Sequence, residues 1–303
     1  MIELIDTNSS QIAAEFVRAR IRAGSPAMGM VMTLIIVTDE ASAHDALDAA
    51  KYASHEHPAR LLGVILRDPR GPSQVNAQVG MGQGFTGEVA VMRLKGEVVR
   101  HCESVVLPLL LPDSPVVAWW PTDAPEDPAT DPLGRLAQRR ITDAAAATKG
   151  KTTALATQCA SYAKGNTDLA WTRITPWRAL LAAALDQQPL RITHGCVEAE
   201  RISPSADLLA AWLEDRLHVK VDRRVSAGPG ITEVTLDTRE GPIGLHREDG
   251  KLATLTSPGR PDRPVALKRR EVPELLAEEL RRLDEDNIYA AAVRRLMKTG
   301  ADR

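Results

Sequence analysis

Apolar positions recur along this chain with two alternating rhythms, and each change of rhythm marks an element. In SSQIAAEFVRARIR (9–22), Ile12, Phe16 and Ala19 return at helical spacing, with Arg18 and Arg22 on other faces. Val31–Thr38 (VMTLIIVT) is continuously apolar and β-branched, as in a strand buried on both faces. Asp39 and Ser42 offer caps for a helix over 43–54, and Arg60–Leu66 (RLLGVIL) is a second buried strand. Strand, helix, strand in that order implies parallel pairing through a right-handed crossover. Val75–Met81 and Glu88–Leu94 alternate in sidedness and read as strands on either side of a glycine-rich segment. Residues 97–111 predict a helix ending near Leu110, followed by a short strand at Val116–Trp120. Six prolines between Pro112 and Pro132 forbid long regular structure around that strand. Arg139–Asp143 predicts another short strand, and 152–163 a helix.

The pattern restarts after Asn166-Thr167-Asp168, a plausible junction. Thr175-Pro176 and Ser203-Pro204 each place a cap before a proline at the first helical position. The second of these helices carries Leu208, Leu209, Trp212, Leu213 and Leu217 in one stripe. A strand at Leu190–Val197 lies between the two helices. Short strands then follow at 219–225, 231–238, 242–247, 251–257 and 264–269, with a hairpin signal at Asp249-Gly250. Pro273 opens a last helical region that breaks near Asp284–Asp286. The expected architecture is an N-terminal α/β domain over 1–165, with a mostly parallel sheet and flanking helices. A C-terminal α+β domain over 166–303 would hold an antiparallel meander with helices.

Length and composition agree with two soluble domains: 303 residues, 44% hydrophobic and 26% charged. The net charge is −2, and neither half has a single-sign excess (14 Lys/Arg against 18 Asp/Glu in 1–150, then 24 against 22). That argues against nucleic acid and against an anionic membrane as partners. The start MIELIDTNSS has no basic-then-apolar order, so no secretory signal is expected. The strongly apolar runs are too short to span a bilayer. Cys102, Cys159 and Cys196 are far apart and odd in number, which fits buried thiols in a reducing cytoplasm.

Several motifs invite a ligand and fail on context. Gly82-Gln83-Gly84-Phe85-Thr86-Gly87 spells G-x-G-x-x-G, yet it leads into the strand pattern EVAVMRL rather than into a helix whose N-terminus would hold a pyrophosphate. A glycine-rich hairpin is expected there, and no cofactor. Gly150-Lys151-Thr152 lacks the earlier glycine of a phosphate loop, since Ala145 stands in its place. His55-Glu56-His57 has no third metal ligand nearby. His101-Cys102-Glu103 are neighbours on a helix and point apart, so they make no triad. No catalytic residue set, cofactor site or metal site emerges.

What stands out in a chain with only five tryptophans is two clusters of tryptophan with arginine. One comprises Trp119, Trp120, Arg139, Arg140 and Asp143; the other Asp168, Trp171, Arg173, Trp177 and Arg178. Tryptophan and arginine dominate protein–protein interface energetics, and guanidinium stacks on indole. The same residues suit a buried domain seam equally well, with Asp143 or Asp168 pairing Arg173 or Arg178.

These residues carry a resemblance to a known family. VMTLIIVTD (31–39), LPLLLPDSPVVAWWP (107–121), LAQRRITDA (136–144) and above all TDLAWTRITPWRALLAAALD (167–186) resemble the glucose-6-phosphate dehydrogenase assembly proteins, OpcA, of actinobacteria and cyanobacteria. The resemblance implies a non-catalytic cytoplasmic helper. Such a protein binds glucose-6-phosphate dehydrogenase, favours its active oligomer and so supports the oxidative pentose phosphate pathway. It marks the ten cluster residues as family landmarks, not as mapped contacts, and leaves the chain's own oligomeric state open. The alternative reading is a sugar-phosphate- or nucleotide-binding domain or enzyme. There Arg139, Arg140, Arg173 and Arg178 would clamp a phosphate near the strand ends Thr38-Asp39 and Trp119-Trp120.

Overall fold

The computed structural model describes residues 1–24, 29–82, 87–247 and 249–301. In chain order the first elements are β1 (Ile2–Leu4), α1 (Ser9–Ala23), β2 (Met32–Thr38), α2 (Ala43–Ser54), β3 (Ala59–Leu66), β4 (Gln74–Met81) and β5 (Gly87–Lys95). There follow α3 (Cys102–Val106), β6 (Val116–Trp119), β7 (Arg139–Thr142), α4 (Lys151–Ala160), β8 (Asn166–Asp168), α5 (Leu169–Arg173) and α6 (Thr175–Gln187). The chain continues with β9 (Ile192–Ala199), α7 (Pro204–Leu217), β10 (Val221–Val225), β11 (Ile231–Thr238), β12 (Ile243–His246), β13 (Leu252–Thr256) and β14 (Arg263–Ala266). It ends with α8 (Val272–Leu280) and α9 (Asn287–Ala301). By internal contact the chain divides into two compact units: 1–146 with 163–167 and 271–285, and 147–162 with 168–270 and 286–303.

The first unit is built on a sheet of order β1-β4-β5-β3-β2-β6-β7-β8. β2 pairs in parallel with both β3 and β6, β3 with β5, and β6 with β7. Strand order therefore reverses between β2 and β6, whose carboxyl ends are Thr38 and Trp119. β2 is buried along its whole length, as its unbroken apolar run requires. Ile35 and Val37 pack with Leu62, Val64, Ile12 and Phe16 of α1. α2 lies against β2 and β3, and α8 packs on α2.

β4 and β5 pair antiparallel, with Met81 opposite Glu88, so strands flank the glycine-rich segment on both sides as its context predicts. Residues 83–86 of that segment lie outside the described residues. Gly87 has a φ of 131°, and a Cβ there would meet the Ala59 carbonyl at 2.1 Å, so glycine is required on both counts.

The helix expected over 97–111 is corrected by the structure. A 3₁₀ turn spans Gly96–His101, α3 covers only Cys102–Val106, and a second 3₁₀ turn takes Leu107–Leu109. Pro108 has no N–H to extend an α-helical ladder, and the apolar periodicity concealed that stop. β1, β8 and α5 are too short to leave a periodic signature.

The second unit carries a sheet of order β10-β9-β11-β12-β13-β14. It is antiparallel except at β9 and β10, which run parallel because α7 forms the crossover between them. α7 starts at the expected signal: Ser203 caps it by accepting from the Ala206 N–H, and Pro204 occupies its first turn. Its Leu208, Leu209 and Leu213 are buried with Val197, Val234, Leu236 and Leu245 of the sheet. Pro264 lies on the edge strand β14, where a missing donor costs least. No helix among the described residues is long and apolar enough to cross a membrane.

Candidate functional site

Trp119 closes β6 with no solvent exposure. Its register partner across the ladder is Ile141, and the Trp120 N–H donates to the Ile141 carbonyl at 3.0 Å. The pairing of β6 with β7 brings the backbones of Trp119, Trp120, Arg139, Arg140 and Asp143 close together, all five buried, but successive strand residues face opposite sides: Trp120 packs in the core with Ile35 and Ala118, and Arg139 and Arg140 go to different partners. Arg139 donates to the Asp284 carbonyl at 2.7 Å and makes a very short bond to the Glu279 carboxylate, fastening the α8 segment to β7. Arg140 faces oxygens rather than a carboxylate: Asn166 Oδ1 at 2.6 Å, the Ala137 carbonyl at 2.7 Å, and the Lys164 carbonyl. Burial lowers its pKa, with Asp127 opposing that shift. Asp143 accepts from the Ala145 N–H at 3.2 Å.

The second cluster forms around α5 and α6. Asp168 caps α5 by accepting from the Ala170 N–H at 2.8 Å. Trp171 is buried, donates from Nε1 to Asp286 Oδ2 at 2.8 Å, and lies 5.6 Å from the Tyr289 ring. The Arg178 guanidinium stacks 3.6 Å over the Trp171 ring. Trp177 is covered instead by Arg247, at 5.0 Å. Arg173 and Arg178 are half-buried. The ten landmarks are therefore mostly interior: every one except these two arginines is buried.

Asp286, Arg247 and Glu279 complete these groups and were missed in the sequence. Asp286 holds the second cluster together. Besides Trp171 it accepts from the Ile288 and Tyr289 N–H groups at 2.9 and 3.0 Å, so it caps α9 as well. Burial raises its carboxyl, but these hydrogen bonds and the nearby Arg178 charge outweigh it and leave the pKa below the ordinary value. An aspartate ahead of an apolar helical run was the available signal. Arg247 donates to the Ile231 carbonyl at 2.8 Å, and burial together with Arg269 pushes its pKa down to about 10. Nothing in the sequence links position 247 to Trp177.

The turn after β2 is Asp39-Glu40-Ala41-Ser42, with no glycine to let backbone approach a phosphate. Glu40 in that turn has its carboxylate engaged by Arg67 Nη2 at 2.6 Å and Arg93 Nε at 3.0 Å, on the β3 and β5 side of β2 rather than toward β6. The Arg67 hydrogen bond, aided by Arg93, keeps that carboxyl ionised below its usual pKa.

His57 contacts the Ala277 carbonyl at 3.0 Å, and Glu56 pairs with Arg281 at 2.7 Å. Among the described residues no three His, Cys, Asp or Glu side chains are grouped as a metal site. Burial pushes the Cys102 thiol up to about 11 and Cys159 to about 12, far from the range of a nucleophile.

Two family models match this sequence. Residues 50–159 match the glucose-6-phosphate dehydrogenase subunit N-terminal domain, and residues 164–293 match the C-terminal domain of that subunit. Comparison with curated proteins finds no match. Among solved structures, the chain is similar to a 3-ketoreductase from Actinomadura kijaniata in complex with NADP and TDP-benzene, with 9% identity over 89% of this chain and 96% of that one and a TM-score of 0.49. An inositol dehydrogenase homolog from Azotobacter vinelandii gives 9% identity, 92% and 89% coverage, and a TM-score of 0.42. Likenesses this remote bear on neither activity nor ligand.

Proposed function

The chain belongs to the glucose-6-phosphate dehydrogenase subunit family described by those N- and C-terminal domain models, and from that premise we propose that it is a non-catalytic cytoplasmic assembly factor and activator. It binds glucose-6-phosphate dehydrogenase and favours the active oligomer. The observation that carries this reading is the pair of family matches, one on each half of the chain. The mechanism is linkage: a protein that binds the active oligomer more tightly than the inactive form must shift the population toward it. A tenfold difference in affinity corresponds to about 1.4 kcal/mol, within reach of one well-packed anchor.

The interior position of most landmarks supports a scaffolding role for them rather than direct contact with the partner. On this reading they hold in place the strands and helices of the protein, and Arg173 and Arg178, the two that are only half-buried, are the landmarks nearest to the surface. The test is a dehydrogenase assay, with sedimentation of the mixture, across a titration of the purified chain. Specific activity and the oligomeric fraction should rise together and saturate. Activity that stays flat while the two proteins demonstrably bind would overturn the activating role.

The alternative, a phosphate clamp built from the landmark arginines, is disfavoured by one observation. Arg139 and Arg140 are spent on internal oxygens and a carboxylate. Thermal-shift titration with sugar phosphates and NADP should accordingly leave the midpoint unmoved in the absence of the dehydrogenase.

A further inference from the structure

The second sheet buries one face, through Val197, Val234, Leu236 and Leu245, and most of the residues on the other face of β9, β10 and β11 are half-buried or exposed. The open face is polar, which is ordinary for an antiparallel sheet facing water. Less ordinary is how its charges are sorted by strand. Register places Asp222 beside Cys196 and Arg224 beside Glu198 across β10 and β9. On the other side of β9, Asp237 stands beside His194, Thr235 beside Cys196 and Glu233 beside Glu198. Lys220 precedes Val221, the partner of Gly195, and so stands level with His194. The face thus carries three rungs: Lys220–His194–Asp237, Asp222–Cys196–Thr235 and Arg224–Glu198–Glu233. The outer rungs are basic on the β10 side and acidic on the β11 side.

We propose that this face docks a second copy of the same chain, sheet against sheet, about a twofold axis running along β9. Rotation about that axis keeps each residue at its own level along the strands and exchanges left with right. It sets Lys220 opposite Asp237 of the second copy and Arg224 opposite Glu233, each contact occurring twice. The other twofold orientation, with the axis across the strands, would set Lys220 opposite Arg224 and Asp237 opposite Glu233, like against like. Across the two outer columns only the first is attractive, although it also brings each Glu198 near its counterpart on the axis. The side chains concerned are accessible: Lys220 is 77% exposed, Arg224 65% and Asp237 53%. Their present partners are loose enough to share, with Arg224 3.8 Å from Glu198 and His194 3.4 Å from Asp237. Lys220 is held more closely, 2.8 Å from Asp222, which would face Thr235 of the second copy. Glu198 and Cys196 fall near the axis, where each Glu198 keeps its own Arg224. A contact three strands wide is at the small end of specific interfaces, so the association is concentration-dependent and salt-sensitive.

Sedimentation velocity on the full chain tests this from low micromolar to several hundred micromolar. Wild type should shift toward dimer with concentration and back with added salt. Glu233→Arg with Asp237→Lys makes both columns basic and should weaken the association at least about tenfold. Lys220→Asp with Arg224→Glu makes both columns acidic and should do the same. Mixing the two variants should recover a dimer, which a merely misfolded protein would not do; circular dichroism checks each variant's fold. A wild type that stays monomeric throughout, or a dimer that neither charge change disturbs, or a mixture that fails to recover, overturns the proposal. None of these outcomes depends on the dehydrogenase.

Discussion

Trp171 shows how much rests on one side chain. Its ring is stacked by Arg178 and lies tilted against Tyr289, and its N–H is taken by Asp286. Trp171→Ala leaves a cavity and removes the indole donor from Asp286 Oδ2, so it should cost about 3–5 kcal/mol in denaturant unfolding. Trp171→Phe keeps most of the ring and removes only the hydrogen bond, with a smaller loss of about 1–3 kcal/mol. Asp286 adds a pH signature. Its folded pKa is depressed, so the stability it contributes is present above the ordinary carboxylate range and is lost as pH falls through the folded value. Asp286→Asn should therefore flatten part of the acid limb of a stability–pH curve, and an unchanged acid limb would show that the carboxylate is not the linkage.

At the scale of elements, the α8 segment is held to the first unit by chemistry distant in sequence. Glu279 and the Asp284 carbonyl both receive Arg139, a residue on β7. Glu279→Gln leaves the buried guanidinium without its counter-charge and should lower stability by about 3–5 kcal/mol; replacing both partners together, with Arg139→Met, should recover much of the loss. A double-mutant cycle by urea denaturation measures this. Helix starts behave more locally. Ser203 caps α7 through its own hydroxyl, and Ser203→Ala should cost about 1 kcal/mol. α3 marks the limit of local reading, because one proline, Pro108, outweighed fifteen residues of apolar periodicity.

For the whole molecule, thiol accessibility reports the integrity of both units at once. Cys102 lies in the first unit and Cys159 in the second, and burial raises both thiols. Near neutral pH a disulfide reagent should label them slowly in the native protein and rapidly in denaturant. Fast native labelling of Cys159 alone would show the second unit opening by itself. The same measurement with saturating dehydrogenase gives the assembly reading a structural readout beside activity: binding should slow labelling in whichever unit it closes.

The sequence by itself determined what depends on neighbours along the chain. The buried strands β2 and β3, the capped start of α7, the five short strands after residue 218 and the strands on either side of the glycine-rich segment follow from periodicity and turn chemistry, which act over a few residues. It also marked the tryptophan–arginine landmarks, since rare residues in a fixed order stand out without a structure. Only the tertiary structure decided what those landmarks face. Trp119 comes beside Ile141 through strand pairing, Arg247 reaches Trp177 from seventy positions away, and Glu279 finds Arg139 across 140. Burial and charge pairing are properties of assembled space. A side chain's own type sets what it can contact, but the fold sets which partner arrives.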